Sequence, residues 1–253
     1  VQQQCAAVYP NTSREGIPIY FFIVTCEHGG NAIPAPYHDL FRDQQALLDS
    51  HRGYDAGALP MAQKLATAFD GALVTATVSR LLVDLNRSIG HPQLFSAMTR
   101  RLSPAMREEI LAHYYRPYRE RVETLVRQAV SEGKRVIHIS SHSFTPELDG
   151  KVRRADIGLL YHPARDGEVK LCAHWRASLA ALAPALRVRR NYPYAGKGDG
   201  LTAYLRLRFS ASSYIGIELE VNQHIVQSDA AMWTTLGALL PDSLRAACAV
   251  AAA

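Results

Sequence analysis

The amino-acid sequence predicts one α/β domain, and three observations carry that expectation. Short runs rich in β-branched and aromatic residues recur at 20–25, 72–78, 81–85, 135–141, 157–161, 186–190 and 214–221; they are too short for helices and are bounded by polar or Gly-containing turns. Longer stretches with helical spacing of their apolar residues lie between them, the alternation expected of strands and helices packed in layers. The 253 residues are 48% apolar and 20% charged, enough for one large core. They hold no internal repeat, linker or low-complexity tract beyond the terminal alanines.

The first apolar run organises the rest. Tyr20 to Thr25 is uninterrupted and gives way abruptly to Cys26-Glu27-His28-Gly29-Gly30-Asn31. An apolar run without alternation reads as a strand buried on both faces, and the glycine pair ends it. Open α/β sheets bind ligands at the carboxyl ends of their strands, so Glu27 and His28 stand where chemistry is expected. Helices are predicted over 44–50 and 56–69, the second with Leu59, Ala62, Leu65 and Ala66 on one face and Asp55 as its N-cap. The strands 72–78 and 81–85 flank Ser79-Arg80, and the second runs into Asp84-Leu85-Asn86-Arg87-Ser88.

Ser103-Pro104 opens the longest helix, with Pro at its first position, and Gly133 ends it after about Ser131. The strand 135–141 leads to His142. A polar loop separates it from the strand 157–161, and an Ala-rich helix over 169–182 precedes the strand 186–190. The loop 191–200 is dense in Gly, Tyr and Lys and suits a mobile lip over a site. YIGIELEV, at 214–221, is a strand whose period of two puts Glu218 and Glu220 on one face. A helix over 230–249 closes the chain.

Composition narrows the function classes. No apolar run is long enough to span a bilayer, and the opening VQQQCAAVYP lacks the basic segment and apolar core of a signal peptide, so none is expected. Cysteines at 5, 26, 172 and 248 form no C-x-x-C pair. That argues against a thiolate zinc site or a disulfide framework and fits a reducing cytoplasm. The net charge of +5 comes from dispersed Arg rather than a basic stripe, which favours small anionic ligands over nucleic acid. Oligomeric state leaves no trace in the sequence.

Polar clusters therefore sit at or near four strand ends: His28, Asn86-Arg87, His142 and Glu218/Glu220. Neutral imidazole is a common zinc ligand, and catalytic zinc usually takes three protein ligands and a water; His28 and His142 can supply two. His51, His162 and His174 read as structural or surface residues, and His138, inside a strand, as a hydrogen-bonded core residue. Two carboxylates on so apolar a strand either neutralise nearby Arg residues or act as a general acid/base. Arg80 and Arg87 either pair with Asp84 or recognise a carboxylate bidentately.

In this order and spacing, CEHGGNAIP, SRLLVDLNRS, SHSFTPELDG with ADIGLLY, and IELEVNQ resemble the N-formylglutamate amidohydrolase family over about residues 26–223. DLNR is also similar to an element of zinc carboxypeptidases and aspartoacylases. The resemblance implies a three-layer αβα hydrolase with a mixed, mostly parallel sheet and one catalytic zinc per chain. His28 matches the first metal ligand and His142 the last. The His-x-x-Glu of carboxypeptidases is absent, since Asn31 stands three residues after His28; Asp55 is the first choice for the carboxylate ligand and Glu27 the second. Asn86 and Arg87 match the pair that holds the substrate's α-carboxylate, and Arg80 the arginine that polarises the scissile carbonyl. Glu220 best matches the catalytic glutamate, with Glu218 its rival. The implied reaction is zinc-dependent hydrolysis of N-formyl-L-glutamate, a cytoplasmic step of histidine degradation. The alternatives are deacylation of another N-acyl amino acid, or a non-catalytic small-molecule binding protein on the same fold.

Overall fold

Alternation along the strands gives the sheet its two faces. In the strand that carries YIGIELEV, Ile215, Ile217, Leu219 and Val221 join one apolar cluster with Met61, Leu65, Trp175 and Leu240, whereas Tyr214 joins a second with Val122, Val126 and Leu205. The computed structural model describes residues 20–251; the opening decapeptide and Cys5 lie outside the described residues. Its elements are β1 (Tyr20–Cys26), α1 (Gln45–Leu48), α2 (Ala58–Ala68), β2 (Ala72–Thr75), α3 (Pro104–Ile110), α4 (Arg116–Ser131), β3 (Arg135–Phe144), β4 (Glu147–Leu148), β5 (Lys151–Val152), β6 (Ile157–Leu160), α5 (Asp166–Leu182), β7 (Val188–Arg190), α6 (Leu201–Arg206), β8 (Tyr214–Asn222), α7 (Gln223–Ser228) and α8 (Ala230–Ala251).

Six strands form the central sheet in the order β2-β1-β3-β8-β6-β7. All neighbours are parallel except β6 and β8, which are antiparallel. Side chains of α2, α5 and α8 fill the cluster on one face, and those of α3, α4 and α6 the cluster on the other. The architecture is thus the expected three-layer α/β arrangement with a mixed, mostly parallel sheet. Among the described residues no helix is long and apolar enough to cross a membrane, and Cys26, Cys172 and Cys248 are free thiols.

The long helix starts and stops as the sequence predicts. Ser103 Oγ accepts from Met106 N at 3.2 Å, and Pro104 occupies the first turn. At the far end Gly133 takes φ +75, and Lys134 N and Gly133 N return to the carbonyls of Ala129 and Val130, both at 3.0 Å, the paired bonds that close a helix on a left-handed glycine. Between α3 and α4, Leu111–Tyr115 forms a π turn.

Other expectations are corrected. The run 81–85 is not a strand: Leu82 N turns back to Ser79 O and Asp84 N bonds Leu94 O, both at 2.9 Å. Its residues are apolar because Leu81, Leu82, Val83 and Leu85 are buried in the cluster of Val122 and Val126, so burial without pairing mimicked a strand. The expected strand 72–78 is paired over β2 alone, and Val78 beyond it makes an isolated bridge to Ala32. Asp55 does not cap α2, whose N-cap is Gly57. The polar loop after His142 contains the β4–β5 hairpin, turned by Asp149 and Gly150 at φ +49 and +73. The short helices α6 and α7 gave no sequence signal.

His138 is the core residue expected. Thr25 Oγ1 lies 2.8 Å from Nε2 and Tyr214 Oη 2.7 Å from Nδ1, partners that suit a neutral ring with one donor and one acceptor. Burial pushes its pKa down from 6.5 to about 4. Below pH ~6.5 the unfolded chain gains a proton that the folded chain refuses, so this contribution to stability is lost as pH falls toward about 4 and is fully present above 6.5. It amounts to roughly 3 kcal/mol. Urea titrations of wild type and His138→Gln should therefore show a difference in stability that shrinks by about that much between pH 7 and 4.

Candidate active site

Register builds the site. Thr25 pairs with Ser140 across β1 and β3, and His142 with Glu220 across β3 and β8, so these side chains share the face that looks toward α4 and α6. Two residues beyond Thr25, with the same alternation, Glu27 meets His142: Nε2 lies 3.0 Å from Oε2. The chain then runs close beside residues 76–77, Gly29 N bonding Ala76 O at 2.9 Å. A Cβ on Gly30 would come within 2.6 Å of the Thr77 carbonyl. Close approach, rather than a tight turn, is what the glycine pair permits. His28 O then accepts from Asp55 N at 2.9 Å, which brings the segment before α2 to the sheet edge.

Three separate segments thereby converge. His142 Nδ1 lies 2.8 Å from Asp55 Oδ2, and His28 Nδ1 lies 3.4 Å from the same oxygen. His28 Nε2 faces Asp84 Oδ1 at 2.7 Å. The ligand atoms of His28, Asp55 and His142 lie within 4.8 Å of one another, and all three residues are buried. Burial raises the Asp55 pKa, with Asp84 adding to the rise. Burial alone would lower His142, but its hydrogen bonds to Asp55 and Glu27 hold it well above the ordinary value. Burial likewise opposes ionisation of Glu27, yet bonds from His142 and Ser140 hold its pKa at about 2.

The two carboxylates of β8 share a face as expected but differ in environment. Glu220 is 5% exposed and its Oε2 has no hydrogen-bond partner. Burial raises its pKa to about 8. Glu218 is half-buried and accepts from Thr202 Oγ1 at 2.6 Å.

Neither arginine pairs with Asp84. Arg80 reaches Asp55 Oδ1 at 3.3 Å and touches His28 Nδ1. Asp84 Oδ1 is taken up by His28 and by Asn86 N at 2.9 Å. Asn86 Oδ1 accepts from Leu201 N at 2.6 Å, and its Nδ2 stands 3.4 Å from His142 Nε2. Arg87 Nη1 donates to Asp199 O at 3.2 Å, and no carboxylate among the described residues forms an ion pair with it.

The loop 191–200 does lie against this cluster, since a Cβ on Gly200 would meet Asn86 Oδ1 at 3.0 Å and Glu218 Oε1 at 3.4 Å. It is tied down rather than free. Asp199 accepts from Ser88 N at 3.0 Å and Ser88 Oγ at 2.5 Å, and Arg206 Nη1 holds Gly196 O at 2.7 Å. A cavity of about 200 Å³ lies elsewhere, between Tyr20, Arg135 and Lys170, away from these residues.

Sequence reasoning missed the partners behind the site. The sequence marks Asp84 only as a partner for arginine. Tyr118 and Thr202 sit far away in the chain with nothing local to mark them, and only the period-two step from His142 could have singled out Ser140.

A family model described as N-formylglutamate amidohydrolase matches residues 21–226. Among solved structures, the chain is similar to a gene product of Agrobacterium tumefaciens with a TM-score of 0.74 and 28% identity, covering 88% of this chain and 90% of that one. It is similar also to N-formylglutamate amidohydrolase from Ralstonia eutropha JMP134, with a TM-score of 0.68 and 20% identity over 93% of this chain and 94% of that one; at that identity the likeness concerns the fold. No curated protein sequence matches.

Proposed function

The chain belongs to the N-formylglutamate amidohydrolase family, and on that premise we propose that it hydrolyses the amide of an N-acyl amino acid with a free α-carboxylate, N-formyl-L-glutamate foremost. The products are then formate and L-glutamate. The observation that carries this reading is the meeting of His28, Asp55 and His142 beside Glu220, whose buried Oε2 has no protein partner.

The donor set suits zinc. Two imidazoles and a carboxylate, each from a different segment, match the three protein ligands of catalytic zinc sites, and both imidazoles have a second carboxylate at the far nitrogen, the usual way such rings are oriented. His28, Asp55 and His142 would hold the ion. When bound, zinc supplies a water of lowered pKa and polarises the scissile carbonyl.

The chain's own groups perform the rest. Glu220 takes the proton of the attacking water and returns it to the departing nitrogen; a pKa near the working pH suits a group that must do both. Arg80, a quarter exposed at its side chain and beside Asp55, donates to the oxygen that gains negative charge. Asn86 and Arg87 hold the substrate's α-carboxylate, Arg87 through two parallel N–H donors that Lys cannot reproduce.

Two measurements on purified, zinc-supplied protein test this. Formate should be released from N-formyl-L-glutamate and not from its α-amide; equal turnover of both, or of neither, contradicts the reading. Arg87→Lys should then narrow the ratio of kcat/KM between free acid and α-amide by about ten- to a hundredfold, the worth of one charge-assisted contact at roughly 1.5–3 kcal/mol. An unchanged ratio removes Arg87 from substrate binding.

A further inference from the structure

Glu27 lies behind His142, outside the ligand set and the proton transfers described above. It is 0% exposed, where a carboxylate persists only if its oxygens are hydrogen-bonded. They are: Tyr118 Oη donates to Oε1 at 3.0 Å and Ser140 Oγ to Oε2 at 2.7 Å. The remaining contact is His142 Nε2, 3.0 Å from Oε2, while Nδ1 of the same ring lies 2.8 Å from Asp55 Oδ2. The ring is thus strung between two carboxylates, one at each nitrogen.

A neutral imidazole carries one N–H, and an ionised carboxylate can only accept. Ser140 spends its proton on Glu27, so its oxygen, 2.8 Å from Nε2, is also an acceptor there. Among the described residues Asn86 Nδ2 is the one donor near Nε2, and it stands farther off at 3.4 Å. Both nitrogens thus face acceptors, and in a neutral ring whose Nδ1 serves the ion the proton belongs on Nε2. Its Nδ1 lone pair is then left facing Asp55 Oδ2, the oxygen that His28 Nδ1 also faces.

We propose that Glu27 is a positioning residue of the metal site: it accepts the Nε2 proton of His142, fixes the tautomer and ring plane that present Nδ1 to the ion, and is not itself a ligand. The inference rests on the metal reading above. Tyr118 from α4 and Ser140 from β3 hold the carboxylate in turn, so the chain of contacts reaches from the helical layer to the metal site.

Zinc affinity by chelator competition, together with the visible spectrum of the cobalt-substituted protein, tests the assignment. Glu27→Gln should bind zinc about 10- to 100-fold more weakly while keeping the wild-type cobalt bands, because the ligand set is intact. Asp55→Asn, the control for a lost ligand, should change those bands. Tyr118→Phe, which loosens Glu27 without removing it, should weaken zinc binding in the same direction by less, and it decides the matter if Glu27→Gln does not fold. Wild-type zinc affinity in Glu27→Gln, or in Tyr118→Phe should that be the only folded variant, overturns the proposal. So does a cobalt spectrum in Glu27→Gln altered like that of Asp55→Asn, which would make Glu27 a ligand. Failure of the wild type to bind zinc at all would instead defeat the metal reading, and the inference with it.

Discussion

Glu220→Gln should lose about a hundred- to ten-thousand-fold in kcat, the usual worth of a general acid/base, with zinc bound as in wild type. The substitution keeps shape and volume and removes only the ability to accept and return a proton. Glu220 pairs in register with His142 and is buried with an unpartnered oxygen, which leaves that oxygen available to a substrate or its water. Glu218→Gln should cost less than about tenfold, below the contribution of an acid/base group. Its neighbour Thr202 can still donate to the amide oxygen, and Glu218 stands two residues farther from His142 along β8. The reverse pattern, with Glu218→Gln inactive and Glu220→Gln active, would exchange the two roles.

Arg206→Met should destabilise the protein by roughly 3–5 kcal/mol, the penalty of removing a principal partner of a buried carboxylate, with Arg165 Nε, 3.4 Å from Glu168 Oε1, left as its remaining cation. Glu168 is 0% exposed and Arg206 8%. Arg206 Nε donates to Glu168 Oε1 at 2.9 Å, and Nη1 and Nη2 hold the carbonyls of Gly196 and Gly216 at 2.7 and 2.8 Å. One guanidinium therefore ties the loop 191–200 to β8 and α5. Removing both partners in Glu168→Leu/Arg206→Met should lose less than the sum of the single changes, since neither member of this pair is then left buried without the other. Chemical denaturation of the four proteins measures this, and additive losses would show that the pair is not coupled.

Legibility in the sequence followed how local each cause was. The strand β1 was readable because burial on both faces leaves an uninterrupted apolar run, β3 and β8 because their β-branched residues recur in short runs bounded by turns, and His28 and His142 because they follow or end such runs. The long helix was readable through Ser103, Pro104 and Gly133, whose capping chemistry is local. The run 81–85 misled because burial under α4 produces the same composition as strand pairing, and pairing depends on partners distant in the chain. Asp55 misled in a similar way. Its spacing suggested a helix cap, whereas a backbone bond to His28 O turns its side chain to the two imidazoles. Glu27, set beside His28 and weighed only as a ligand, proves to face the other nitrogen of His142, through a β1–β3 register that composition alone does not encode.

Metal content tests the central claim most directly. Protein purified without chelators should carry about one zinc per chain. His142→Ala and Asp55→Ala should each lose most of it while remaining folded, and the His28→Ala/His142→Ala double variant should retain none. Full occupancy in that double variant, or a folded wild type that hydrolyses N-formyl-L-glutamate with no metal bound, would contradict the account.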